Sequence, residues 1–348
     1  MNPYILATLL MSLGLGTTLT FVSSHWFLAW MGLEINTLAI IPLMAQHHHP
    51  RAIEAATKYF LVQAAAAATL MFATMTNAWI EGQWDISQMS HPLPYTIVII
   101  ALALKVGLAP LHSWLPEVLQ GLDLTTGLLM STWQKLAPFA LLLQMEPISP
   151  NLLIFLGLIS VMVGGWGGLN QTQLRKILAY SSTAHLGWMV LVLQFSPSLT
   201  FMALITYIIM TTAVFLAFIN NHTTTINSLT LSWTNTPTLT AIIPLLLFSL
   251  GGLPPLTGFL PKWMILLELS EQGFALTATM AALSALLSLY FYLRISYAAA
   301  LTMSPNTTVG TAPWRTPDTY TTLPLALASL MSICLLPIAP SILALLTF

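Results

Sequence analysis

The run Leu104–Gly121, L-K-V-G-L-A-P-L-H-S-W-L-P-E-V-L-Q-G, decides how the chain is read. It closes a long apolar stretch that begins near Tyr95, and it sets a lysine, a histidine and a glutamate among greasy neighbours. Proline removes a backbone donor and clashes with the preceding turn, so Pro110 and Pro116 predict a broken or kinked helix. In a bilayer, backbone groups freed in this way are tolerated only against protein or a wet cavity. A broken helix that carries Lys105 is therefore a candidate functional site.

A second copy of the motif lies further on. Gly107–Glu117 reads G-L-A-P-L-H-S-W-L-P-E and Gly252–Lys262 reads G-L-P-P-L-T-G-F-L-P-K, with six of eleven positions identical. Trp114 against Phe259 keeps an aromatic. Apolar segments interrupted by Gly and Pro at corresponding places in two halves point to a transport site.

The 348 residues are 57% hydrophobic and 5% charged, where soluble domains carry about 25% charged residues. With a mean hydropathy of +0.83, the chain reads as an all-α polytopic membrane protein. A net charge of −1 without a basic patch excludes nucleic acid as a partner. One cysteine, Cys334, excludes a disulfide framework and any metal cluster held by cysteines of this chain alone. There is no G-x-G-x-x-G and no Walker loop, so no cofactor site is expected, and M-N-P-Y-I leads into an apolar span without a cleavable presequence. Redox chemistry falls to a partner.

Apolar runs of about 20 residues give eleven expected spans, near 3–22, 25–45, 55–78, 95–120 (broken), 124–144, 149–170, 174–194, 199–220, 238–270 (broken), 275–301 and 323–346. Asn221–Pro237 and Ser304–Thr322 are the longest expected loops. The broken segments are spans four and nine, and an odd offset makes the copies antiparallel, an inverted repeat. The division expected is 1–145 for the first five-helix repeat (break near 105–117), 146–302 for the second (break near 252–262), and 303–348 for a loop and C-terminal helix. Arg51, Arg175-Lys176 and Arg315 fall in loops on the N-terminal side, whereas Glu81 and Asp85 fall opposite. The positive-inside rule then puts the N-terminus inside and the C-terminus outside.

Glu34, Lys105, Lys135 and Lys262 lie mid-span or at a break, where a charge costs about 2.5–3.5 kcal/mol on the insertion scale. Burial disfavours a charge and a nearby opposite charge restores it, so a lysine between the two can load and release a proton. Lys105 and Lys135 are read as proton relays, with Glu34 as counter-ion. Lys262 is either a further relay or the cap of an interfacial turn. His112, in the break, either relays protons or satisfies freed carbonyls. Glu117 serves a partner interface or a half-channel on the N-terminal side. Lys58 follows Glu54 by four residues near a span end and reads as a surface pair, Arg294 as a snorkelling residue, and His185 as packing between spans. His47, His48 and His49 read as a solvated loop rather than a metal tract.

The motifs W-M-G-L-E-I-N-T-L-A-I-I-P, E-A-A-T-K-Y-F-L-V-Q-A, K-V-G-L-A-P-L-H-S-W-L-P-E-V, S-T-W-Q-K-L-A-P and G-G-L-P-P-L-T-G-F-L-P-K-W span most of the chain in order. With them the sequence resembles the antiporter-like membrane-arm subunits of respiratory complex I, NADH–ubiquinone oxidoreductase, and the animal mitochondrially encoded form most of all. The resemblance implies a proton-translocating subunit of the mitochondrial inner membrane, multi-pass, with its N-terminus on the matrix side and its C-terminus in the intermembrane space. It implies that Glu34 pairs with Lys105, that Lys135 is the central lysine, and that Lys262 belongs to the second broken helix. NADH, FMN, iron–sulfur clusters and ubiquinone then belong to partner subunits, and other membrane-arm chains, antiporter-like neighbours included, are the protein partners. The full pattern of that family has fourteen spans, of which this chain matches the last eleven. Membrane lipid, cardiolipin among it, is expected beside Arg51 and Arg175-Lys176. A self-contained cation/proton antiporter and an inert spacer of the membrane arm are the alternative functions.

Overall fold

The computed structural model describes residues 2–46, 49–146, 148, 150–234, 236–301, 322–338, 340, 341 and 344, and these form helices without a β-strand. His47, His48 and Arg315 lie outside them, as does most of the expected loop Ser304–Thr322. The chain falls into two units, Met1–Leu156 and Gly157–Phe348.

The first unit holds α1 (Pro3–Val22), α2 (Trp26–Met44), α3 (Pro50–Glu81), α4 (Pro92–Val106), α5 (Trp114–Gly121), α6 (Leu124–Ser131) and α7 (Trp133–Gln144). Proline at the first position of α1, α3 and α4 forfeits only an N–H that would have had no partner in the helix. The preceding Asn2, His49 and His91 side chains accept the N–H of Tyr4 (3.2 Å), Arg51 (3.2 Å) and Leu93 (3.3 Å). Helices α1 and α2 cross at Gly16 and Gly32. A Cβ on either glycine would stand 2.8 Å from the carbonyl oxygen of the other. Lipid offers no hydrophobic force between helices, so close backbone packing of this kind replaces it.

The expected break is present. Helix α4 ends at Gly107, whose φ of +87° is costly for any residue with a Cβ. The N–H groups of Gly107 and Leu108 both reach the Ala103 carbonyl at 2.9 Å, and α5 starts at Trp114. The expected span 124–144 is not continuous. It divides into α6 and α7 at Thr132, whose N–H (3.0 Å) and hydroxyl (2.7 Å) both use the Leu128 carbonyl. A threonine bonding back to its own helix in this way bends it.

The second unit takes up the chain within α8 (Pro150–Gly167). It continues with α9 (Leu174–Val192), α10 (Pro197–Asn220), α11 (Ile226–Leu231), α12 (Pro237–Gly251), α13 (Phe259–Glu271), α14 (Ala275–Leu301) and α15 (Leu323–Cys334). Helix α11 lies where Asn221–Pro237 was expected to be loop. A capping box creates it: Ser228 N–H donates to Thr225 Oγ1 (3.3 Å) and Thr225 N–H to Ser228 Oγ (3.1 Å). Helix α12 ends at Gly252 (φ +78°), with the N–H groups of Gly252 and Leu253 on the Phe248 carbonyl at 3.0 and 3.2 Å. This is the arrangement at Gly107. Ala109–Pro110 and Pro254–Pro255 are both cis.

The loops show the same correspondence. In the first unit Trp26 N–H donates to Trp84 O and Ile86 N–H to Ser24 O, both at 3.0 Å. In the second, Leu174 N–H donates to Thr224 O (3.1 Å) and Ile226 N–H to Thr172 O (3.2 Å). Among the described residues five helices are long and apolar enough to cross a membrane: Pro3–Val22, Trp26–Met44, Pro50–Glu81, Pro197–Asn220 and Ala275–Ala300. Pro92–Val106, Asn151–Gly167, Pro237–Gly251 and Leu323–Cys334 are apolar but shorter, two of them because they stop at the breaks. Large apolar side chains such as Trp79, Val22 and Leu276 point outward and are strongly exposed, the distribution expected where the solvent is lipid.

Candidate functional site

The end of a half-helix leaves carbonyls without partners, and in the first unit neutral side chains supply them. Trp114 Nε1 donates to the Leu104 carbonyl (3.0 Å) and Gln63 Nε2 to the Lys105 carbonyl (3.4 Å). The Lys105 ammonium is thereby not needed at the cap. It is buried, and its Nζ has no hydrogen-bond partner among the described residues.

Lys135 stands in the first turn of α7, just past the interruption at Thr132, and is also buried. Lys105 and Lys135 line one cavity of about 20 Å³, together with Asn36, Tyr59, Gln63 and Gln134. That volume suits about one water molecule. The lining is cross-linked by weak polar contacts: Tyr59 Oη to Gln134 Oε1 at 3.5 Å, and Gln134 Nε2 to the Asn36 carbonyl at 3.4 Å.

Glu34, on α2, is partly buried, and its charge acts on both Lys105 and Tyr59. No direct ion pair joins it to Lys105 among the described residues, and its Oε2 is buried without a hydrogen-bond partner there. His112 lies in the break, beside the Pro110 carbonyl. Glu117 is held by Lys58 at 2.8 Å, and Lys58 also pairs with Glu54 at 2.9 Å. The sequence suggested the Glu54–Lys58 pair and not the bond to Glu117, which ties α5 to α3.

In the second unit a charge takes part in the capping. Lys262, in the first turn of α13, folds back across the break and donates from Nζ to the Gly251 carbonyl at 2.7 Å. A Cβ on Gly252 would lie 3.0 Å from that Nζ, so the glycine also clears the approach. Lys262 lines a separate cavity of about 10 Å³ with His185, Thr206 and Met210, and the His185 ring packs on Tyr207 at 5.6 Å. No carboxylate pairs with Lys262 among the described residues. Arg294, expected to snorkel, donates from Nη1 to the Leu169 carbonyl at 2.7 Å.

The structure thus gathers Lys105 and Lys135, sets Glu34 within electrostatic reach, and gives Lys262 a cavity of its own. Sequence reasoning passed over Asn36, Gln63, Gln134 and Tyr59. Their signal was polarity within apolar runs, as in L-V-Q-A and T-W-Q-K, but a neutral amide does not stand out as a charge does. No group of three or more His, Cys, Asp or Glu residues suited to a metal occurs among the described residues. The arrangement sets two amine-bearing side chains on one space the size of a water molecule.

Residues 23–288 match the family model described as NADH:quinone oxidoreductase/Mrp antiporter, TM, and residues 289–343 match NADH dehydrogenase subunit 2 C-terminus. The chain is 68% identical to NADH-ubiquinone oxidoreductase chain 2 of Tetraodon nigroviridis over 345 residues, covering 99% of each chain. It is 66% identical to the protein of the same name from Salmo salar, covering 100% of both. Among solved structures it resembles a chain of respiratory complex I from Thermus thermophilus, with a TM-score of 0.83, 28% identity, and 97% of this chain and 78% of that one covered. A chain of the Mrp complex from Dietzia sp. shares the fold, with a TM-score of 0.85 at 18% identity and coverage of 97% and 76%.

Proposed function

The chain belongs to the NADH-ubiquinone oxidoreductase chain 2 family, a subunit of the respiratory enzyme complex I, and from that premise we propose that it moves protons across the mitochondrial inner membrane through a buried lysine–glutamate axis. The observation that carries this reading is the cavity shared by Lys105 and Lys135, with the field of Glu34 upon it. Approach of a carboxylate favours an ammonium and its retreat favours release of the proton. Movement of Glu34 or of the half-helix bearing Lys105 would therefore load and unload the amine, with Lys135 as the next acceptor and Lys262 serving the second unit.

Two inverted five-helix repeats, with eleven crossings in all, are the architecture we assign. The matched glycine ends at 107 and 252 and the matched loop bonds support the repeat. The N-terminus then faces the matrix and the C-terminus the intermembrane space. Moving one charge requires about 2.3 kcal/mol per 100 mV. NADH oxidation and ubiquinone reduction in partner subunits supply that work, with FMN and iron–sulfur clusters held there, and neighbouring antiporter-like chains are the contacts in the membrane. Cardiolipin beside Arg51 and Arg175-Lys176 completes the assignment.

The test is Lys135→Met in the assembled complex in inner-membrane vesicles. We expect native abundance, with NADH-driven proton uptake reduced by roughly 10²-fold, the loss typical of removing a positioned acid–base group. An inert spacer would pump normally without Lys135. Cation-driven proton exchange by the isolated chain, independent of NADH, would favour the self-contained antiporter.

A further inference from the structure

Resting on the proton-axis reading above, we propose that Asn36 is a positioning residue of the path, its carboxamide holding a water molecule in the cavity that Lys105 and Lys135 share. Asn36 is only 2% exposed, and neither its Oδ1 nor its Nδ2 has a hydrogen-bond partner among the described residues. Buried amides in folded proteins are bonded, to protein or to ordered water, because leaving them bare is costly.

The neighbours do not meet that need. Gln134 Nε2 is directed to the Asn36 backbone carbonyl, the Tyr59 hydroxyl to Gln134 Oε1, and Gln63 Nε2 to the Lys105 carbonyl. Asn36 and Lys105 line the same cavity, and the Asn36 amide and the Lys105 ammonium are buried without hydrogen-bond partners among the described residues. An ammonium only donates, whereas an amide both donates and accepts, so a water accepting from Lys105 and donating to the Asn36 oxygen satisfies both. The volume of about 20 Å³ admits one water and excludes a hydrated ion or an organic molecule. Gly16 keeps the place for the amide: a Cβ there would fall 2.6 Å from Asn36 Oδ1. A water fixed in this way lies beside Lys105 in the cavity shared with Lys135.

The experiment compares Asn36→Thr with Asn36→Val in the assembled complex, since the two differ by a hydroxyl against a methyl in the same shape. Lys135→Met serves as the control for the axis. With a water-holding role, both variants assemble to the native level on a native gel. The Thr variant keeps most of the NADH-driven proton uptake, while the Val variant slows on the order of tenfold and shows a larger solvent deuterium isotope effect. Equal rates in the two, whether native or reduced alike, with Lys135→Met strongly impaired, would overturn the role of Asn36 and leave the axis standing. A normal rate in Lys135→Met would remove the axis and this proposal with it. If neither Asn36 variant assembles, an experimental density map of the native complex decides. A water bonded to the Asn36 amide supports the proposal, and an amide bonded only to protein atoms, or facing an empty cavity, overturns it.

Discussion

The two broken helices are built alike and finished differently. Each first half ends on a left-handed glycine, Gly107 or Gly252, with two consecutive N–H groups returning to one carbonyl. In the first unit Trp114 and Gln63 then supply the orphaned carbonyls, and Lys105 is left with its ammonium in a cavity. In the second unit phenylalanine stands at the position of the tryptophan, with no donor to offer; the Ser249 carbonyl, which matches that of Leu104, accepts the Gly252 N–H at 3.1 Å, and the Lys262 ammonium caps Gly251. The lysine of the first break is therefore left in a cavity, whereas the lysine of the second, which stands at the motif position of Glu117, is bonded to the backbone. What separates them is that the first lysine bonds no carbonyl among the described residues and the second does.

Substitutions at the breaks test that contrast. The largest expected effect is at Gly258, where a Cβ would land on the Ser249 carbonyl oxygen; the motif position it matches in the first unit is Ser113, which is exposed. Gly258→Ala should cost at or above the ~3 kcal/mol upper end of ordinary overpacking, seen as loss of assembled complex on a native gel, whereas Ser113→Ala should assemble normally.

Next comes Lys262→Met, which removes a charge-assisted hydrogen bond and should lower thermal stability by about 1.5–3 kcal/mol, read as an earlier midpoint of thermal inactivation. Lys105→Met removes a buried ammonium that caps nothing, and should leave that midpoint unchanged or raise it. Equal losses from the two lysines would break the comparison.

The smallest effect is that of Trp114→Phe, which gives the first unit the aromatic of the second. Losing one neutral bond to the Leu104 carbonyl should cost about 1 kcal/mol in the same assay.

Much of this was legible in the sequence, for definite reasons. Gly107, Pro110 and Pro116 announce a break because their backbone preferences are local, and Lys105, Lys135, Glu34 and Lys262 stand out because charge in an apolar run is expensive. The interruption at Thr132 was not legible. Ser-Thr is ordinary in a helix, and only the folded chain shows both Thr132 donors on Leu128. The capping by Lys262 and the reach of Arg294 to Leu169 depend on distant backbone, which no local pattern encodes. Glu117 reads from the sequence as serving a partner interface or a half-channel, and its bond to Lys58 is hidden because Lys58 is far off in sequence and meets it only when α5 lies on α3.

The central claim is that Lys105 and Lys135 work on the same proton through one cavity. Its most direct test is a double-mutant comparison of NADH-driven proton uptake in vesicles bearing Lys105→Met, Lys135→Met and both together. Residues acting as a unit are not additive. A shared proton path predicts a double variant no slower than the slower single one. Losses that multiply would contradict it, placing the two lysines on independent paths.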